Sequence, residues 1–141
     1  VAGDEKILKK FLLYRTYHGC AMAPPVQTAS VAAWNDEAHV LDNRNQYREK
    51  FAACTPLIGE VLGTGMPDAS FYLWAKTPIA DTEFARGLLE HYNVVVLPGS
   101  FLAREIRGVN PGANFIRIAL VASLAECLEA TQRIRQFAQQ L

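Results

Sequence analysis

Two periods divide the chain. Up to Leu62 the apolar residues recur three or four apart, as on one side of a helix, and from Phe71 onward short apolar runs of strand length alternate with helical segments. Asp4 can cap a first helix carrying Ile7, Leu8, Phe11, Leu12 and Tyr14 or Arg15, expected to stop near Gly19. Pro25 stands where a first-turn proline is tolerated, and Val26, Ala29, Ser30, Ala33 and Trp34 give a second helix a narrow face of mostly small residues. Asn35-Asp36-Glu37 restarts or bends the helix. Tyr47, Phe51, Cys54, Ile58, Val61 and Leu62 then mark a long helix that Pro56 should kink or break, with Gly63-Thr64-Gly65 ending it.

The second half reads differently. Phe71-Tyr72-Leu73-Trp74-Ala75 has the aromatic content of a strand, Asp81 is placed to cap a helix with Phe84, Leu88 and Tyr92 inward, and Val94-Val95-Val96-Leu97 reads as an apolar strand. Ser100 to Ala113 is a long loop, of the kind that often carries function. Phe115 to Val121 is the last strand. Ser123 and Glu126 form a capping box for a final helix with Leu124, Cys127, Leu128, Ile134 and Ala138 inward. The order predicts an α+β fold over a single domain, 1–141: a small sheet of about three strands with helices packed on one face.

Within that last strand one position breaks the apolar pattern. Arg117 lies between Ile116 and Ile118, and successive strand side chains point to opposite faces. If Ile116, Ile118 and Leu120 face the helices, the guanidinium projects from the other side, where water, an acid or an anionic ligand must meet it. Two readings follow: an edge-strand arginine bridged to a nearby acid, or a receptor for a carboxylate.

Composition narrows the choice. Lysine plus arginine equal aspartate plus glutamate at 14 each, so no excess of positive charge argues for a nucleic-acid partner. Cys20, Cys54 and Cys127 are widely spaced and odd in number, which fits free buried thiols and a cytoplasmic setting. No run approaches the length of a membrane span. His18, His39 and His91 lack metal spacing, and His18 suits the C-terminal end of a helix. The aromatics, Trp34 and Trp74 included, are at core spacing. Lys6, Lys9, Lys10 and Lys50 fit solvated helix faces, and Lys76 ends a strand. Val1-Ala2-Gly3 reads as the tail of a strand entering a helix, so the chain is expected to be part of a longer protein.

Four segments together are more specific. Tyr17 to Gln27 (YHGCAMAPPVQ), Asn43-Arg44 with Tyr47-Arg48, Val96 to Phe101 (VLPGSF) and Asn114 to Leu120 (NFIRIAL) resemble, in order and approximate spacing, the C-terminal small domain of fold type I, class I/II aminotransferases that depend on pyridoxal phosphate. The resemblance spans essentially the whole chain. It implies that Arg117 is the fork for the substrate α-carboxylate, a role suited to a planar guanidinium. It also implies that Gly99 opens a substrate-side loop, and that Gln27 lies where the small domain approaches the active site of a homodimer. The nearest branch acts on N-succinyl-2-amino-6-ketopimelate in lysine biosynthesis, with glutamate as donor, and Arg104 and Arg107 are then candidates for an extra substrate carboxylate.

The family's Schiff-base lysine is expected upstream of Val1. The stretch is therefore read as holding no catalytic residue, no metal and no covalently bound cofactor. Pyridoxal 5'-phosphate is expected in the full-length enzyme, and the partners are small amino and keto acids. A neighbouring specificity (aspartate, aromatic or alanine type) and a non-catalytic carboxylate-binding module are the alternatives.

Overall fold

A computed structural model describes residues 2–19 and 21–141. The expectation for Cys20 lies outside the described residues. The chain falls into two compact units, Val1–Val40 and Leu41–Leu141.

The first unit holds helices α1 (Glu5–Tyr17) and α2 (Pro24–Asn35) and the start of α3 (Glu37–Gly59). Asp4 caps α1, its carboxylate accepting from the N–H groups of Lys6 and Ile7 at 2.9 and 3.2 Å. Proline occupies the first turn of α2, where its missing donor costs nothing. The break falls at Asp36, whose carboxylate accepts from the Ala38 and His39 N–H groups and pairs with His39 Nδ1 at 3.0 Å. No residue of α1 or α2 is buried. Trp34, expected at a core position, is 83 % exposed.

The second unit is an antiparallel sheet in the order β1-β3-β2. Its strands are β1 (Tyr72–Lys76), β2 (Leu97–Pro98) and β3 (Phe115–Ala119). Alternation sends Leu73 and Ala75 of β1 and Ile116 and Ile118 of β3 to one face. There they join Phe51, Cys54 and Ile58 of α3, Phe84 and Leu88 of α4 (Asp81–Tyr92), and Cys127, Ile134 and Phe137 of α5 (Leu124–Ala138) in one buried cluster. Each such aliphatic or aromatic side chain contributes about 1.5–3 kcal/mol on burial. The two helices close on each other through the edge-on rings of Phe84 and Phe137, 5.0 Å apart. The capping box of Ser123 and Glu126 is present in both directions, and its hydrogen bonds, from the Ser123 side chain first, hold the Glu126 carboxyl below its ordinary range. Burial, then the neighbouring Cys54, push the Cys127 thiol up; both thiols are free and buried.

Besides Trp34, five expectations need correction. Of the kink or break expected at Pro56, the break does not occur: α3 runs on through the proline to Gly59, near enough to its end that the one hydrogen bond the proline cannot make does not stop it. Only Leu97–Pro98 of the Val94–Leu97 run pairs as strand. Asn93 adopts the left-handed conformation, and the Val94 N–H returns to the Leu88 carbonyl, so the start of the run closes a helix. Asp81 is not the cap of α4, a position Ala80 fills, but its first residue. Lys50 is buried rather than solvated, its ammonium 3.5 Å from the Val121 carbonyl and over the Tyr47 ring. Trp74 belongs to the exposed face of the sheet, not the core.

Candidate functional site on the exposed face of the sheet

The alternation that buries Ile116 and Ile118 leaves Phe115, Arg117 and Ala119 on the opposite face, with Tyr72, Trp74 and Lys76 beside them on β1. β3 is the central strand, so Arg117 has a neighbour on each side: Trp74 across one ladder and Leu97 across the other. The Trp74 ring stacks on Phe115, centroids 5.6 Å apart and planes 12° from parallel. The guanidinium lies instead over Tyr72, its Cζ 5.1 Å from the ring centroid. Arg117 is half-buried, and among the described residues it makes no ion pair with a carboxylate. The edge-strand salt bridge is therefore not what holds it. A planar cation with its in-plane donors unclaimed is suited to receive a carboxylate in the bidentate mode.

A pinned loop borders this face. Gly99 opens a 3-10 turn, Gly99–Phe101, and is buried against Gly112. A Cβ on Gly99 would stand 2.4 Å from the Gly112 carbonyl oxygen and 2.7 Å from the Trp74 ring, so glycine is required by close approach. Asp81 fastens both ends of the loop, Oδ2 accepting from the Ser100 N–H at 2.9 Å and Oδ1 from the Asn114 N–H at 3.2 Å. Burial works to raise its pKa, but the hydrogen bonds from Ser100 and Asn114 outweigh it and hold the carboxyl below its ordinary value. Asn110 ties the middle, donating to the Ser100 carbonyl and accepting from the Gly112 N–H. Sequence reasoning missed these roles. The partners of Asp81 lie 19 and 33 residues along the chain, so only an acid at a helix start was visible.

The remaining candidates are placed as follows. Arg104 and Arg107 stand exposed on the loop, Arg107 with φ 53° in the turn closed by the Ile106–Val109 bridge. Gln27 lies in the first unit, where its amide donates to the Met22 carbonyl at 2.7 Å. A cleft of about 530 Å³, lined by Asn43, Arg44, Tyr47, Arg48 and the turn from Met66 to Phe71, does not include Arg117. Among the described residues no cluster could hold a metal ion, and no helix is long and apolar enough to cross a membrane.

The lysines with described side chains are placed as follows. Lys6, Lys9, Lys10 and Lys76 are exposed, Lys9 pairing with Glu5 at 2.8 Å. Lys50 is held under Tyr47 and against a carbonyl.

A three-stranded antiparallel sheet has helices on one face and, on the other, an arginine that makes no ion pair among the described residues: an α+β layer. Residues 6–134 match the family Aminotransferase class I and II, and the chain belongs to that family. A crystal structure of an aminotransferase from Neisseria meningitidis is 53 % identical, with a TM-score of 0.85 over 96 % of this chain and 35 % of that one. A probable aminotransferase of Mycobacterium tuberculosis is 32 % identical over 95 % of this chain and 31 % of its own length. A probable N-succinyldiaminopimelate aminotransferase from Thermus thermophilus is 39 % identical, with a TM-score of 0.54 over 65 % of this chain and 24 % of that one. The chain thus spans about a third of the length of the first two relatives.

Proposed function

We propose that the full-length protein is a pyridoxal-phosphate-dependent transaminase and that Arg117 binds the α-carboxylate of its amino-acid and keto-acid substrates. The observation that carries the reading is half-buried Arg117, set on the central strand with no carboxylate partner among the described residues. The cofactor and its lysine are assigned to the rest of the full-length protein. What this chain contributes is chiefly positional: two parallel charge-assisted hydrogen bonds fix the carboxylate and with it the orientation of the neighbouring α-carbon. The asparagine- and aspartate-tied loop beginning at Gly99 borders the same sheet and keeps a fixed backbone course beside it.

The substrate pair proposed is glutamate and N-succinyl-2-amino-6-ketopimelate, with the protein working as a cytoplasmic homodimer. Support comes from the resemblance of the four sequence segments and from the likeness to the Thermus protein. Arg104 and Arg107 are the proposed partners of the additional carboxylates, Gly99 the residue that lets the loop approach, and Gln27 a contact to substrate or to the second subunit. The test is steady-state kinetics of the full-length protein with glutamate and a panel of keto acids. N-succinyl-2-amino-6-ketopimelate should give the highest kcat/KM, and Arg117→Ala should lower it on the order of 100-fold. An Arg117→Ala variant with unchanged kcat/KM would overturn the carboxylate role. A higher kcat/KM with an aspartate-, aromatic- or alanine-derived keto acid would overturn the substrate assignment alone.

A further inference from the structure

We propose that Tyr72 is a positioning residue for Arg117, a ring platform that holds the guanidinium by its face and leaves its nitrogen edge free; this rests on the carboxylate-binding reading of Arg117. The Cζ stands 5.1 Å from the ring centroid, inside the roughly 6 Å range of a cation–π contact. In the stacked form of such a contact, the form proposed here, the cation offers its flat face to the ring. The N–H donors of a guanidinium lie in its plane, so a ring beneath it competes with a carboxylate for none of them. An aspartate or glutamate in the same place would hold the arginine equally well, but by occupying the fork.

The pairing of the strands explains why Tyr72 has this role. Directly opposite Arg117 is Trp74, but its ring is already committed to Phe115 and to the close approach of Gly99. On the other flank Leu97 offers no quadrupole. Of the two diagonal neighbours on β1, Lys76 is a like charge, and the other is Tyr72, whose own cross-strand partner is Ala119, a side chain too short to cover the ring. Diagonal pairs are within reach of aromatic and long side chains. Tyr72 is itself held: Phe71 meets it edge-on at 5.1 Å and 79°, and Tyr47 of α3 lies 6.3 Å from Phe71. The platform is therefore backed by a second ring and then by a helix. An arginine pre-set on such a support loses less freedom when its ligand arrives.

The test uses the full-length protein and glutarate as the carboxylate probe, with affinity read by calorimetry and folding by melting temperature. Tyr72→Phe keeps the ring face and should bind within about twofold of wild type, whereas Tyr72→Leu should weaken glutarate about three- to thirty-fold. Mono-, di- and trifluorophenylalanine at position 72 keep the shape while draining the ring's negative face. Affinity should fall stepwise along that series at constant melting temperature, a response that a merely structural residue would not give. A flat fluorine series overturns the role of Tyr72, and because these side chains are near-isosteric it remains decisive if Tyr72→Leu fails to fold. Arg117→Ala separates the two layers: lost binding there with a flat fluorine series removes only the platform, while retained binding removes the carboxylate reading and the platform with it.

Discussion

The two faces of the sheet are built from the same strands and opposite chemistry. On the inner face Leu73, Ala75 and Ile116 are fully buried and Ile118 nearly so. On the outer face Tyr72, Trp74, Phe115 and Arg117 stay partly open, and each leans on an aromatic neighbour. The inner side chains are aliphatic and interchangeable in kind, held by exclusion of water. The outer ones are held by ring geometry, which fixes direction as well as distance. A strand with period two can thus serve stability and recognition at alternate residues, and a change on one face should leave the other largely intact.

That separation can be broken from either side. Ile116→Ala removes buried methyl groups and should cost about 2–5 kcal/mol in chemical denaturation. Glutarate affinity should be nearly unchanged in whatever fraction remains folded. Arg117→Ala is the converse, with carboxylate affinity down on the order of 100-fold and the melting temperature within a few degrees of wild type. Loss of stability comparable to Ile116→Ala would mean that the outer face is also structural.

Asp81 sharpens the comparison because it serves the loop that borders the outer face. Asp81→Ala should cost about 2 kcal/mol, the worth of hydrogen bonds to a charged acceptor. Its folded-state pKa is lowered, so its contribution is fully present above the unfolded-state value near 3.9 and is lost as pH falls through the folded value. The stability gap between wild type and variant, measured by urea denaturation, should therefore be wide at neutral pH and shrink in strong acid. A gap independent of pH would contradict the assignment. The smallest effect is expected at the far end of the unit, where Ser123→Ala removes the α5 cap at a cost of about 1 kcal/mol and no change in glutarate binding.

Much of this was legible from local signals. Asp4, the restart at Asp36 and the Ser123–Glu126 box are caps whose partners lie two or three residues away, and all are where the pattern placed them. The two longer strands, β1 and β3, and the face carrying Arg117 follow from period two. What failed was non-local. Val94 reads as strand until the Leu88 carbonyl claims its N–H, and Lys50 reads as solvated until Tyr47 and Val121 enclose it. Trp74 looks like core by its spacing, yet the register sends it outward. The platform under Arg117 was hidden for the same reason: Tyr72 and Arg117 are neighbours only once β1 and β3 are paired.

The most direct measurement is a crystal structure of the full-length protein with glutarate. A carboxylate bound by both terminal nitrogens of Arg117 at about 2.7–2.9 Å, with the guanidinium still lying over Tyr72, is the expected result. Glutarate bound elsewhere, with the Arg117 fork closed on an aspartate or glutamate of the protein itself, would contradict the carboxylate role.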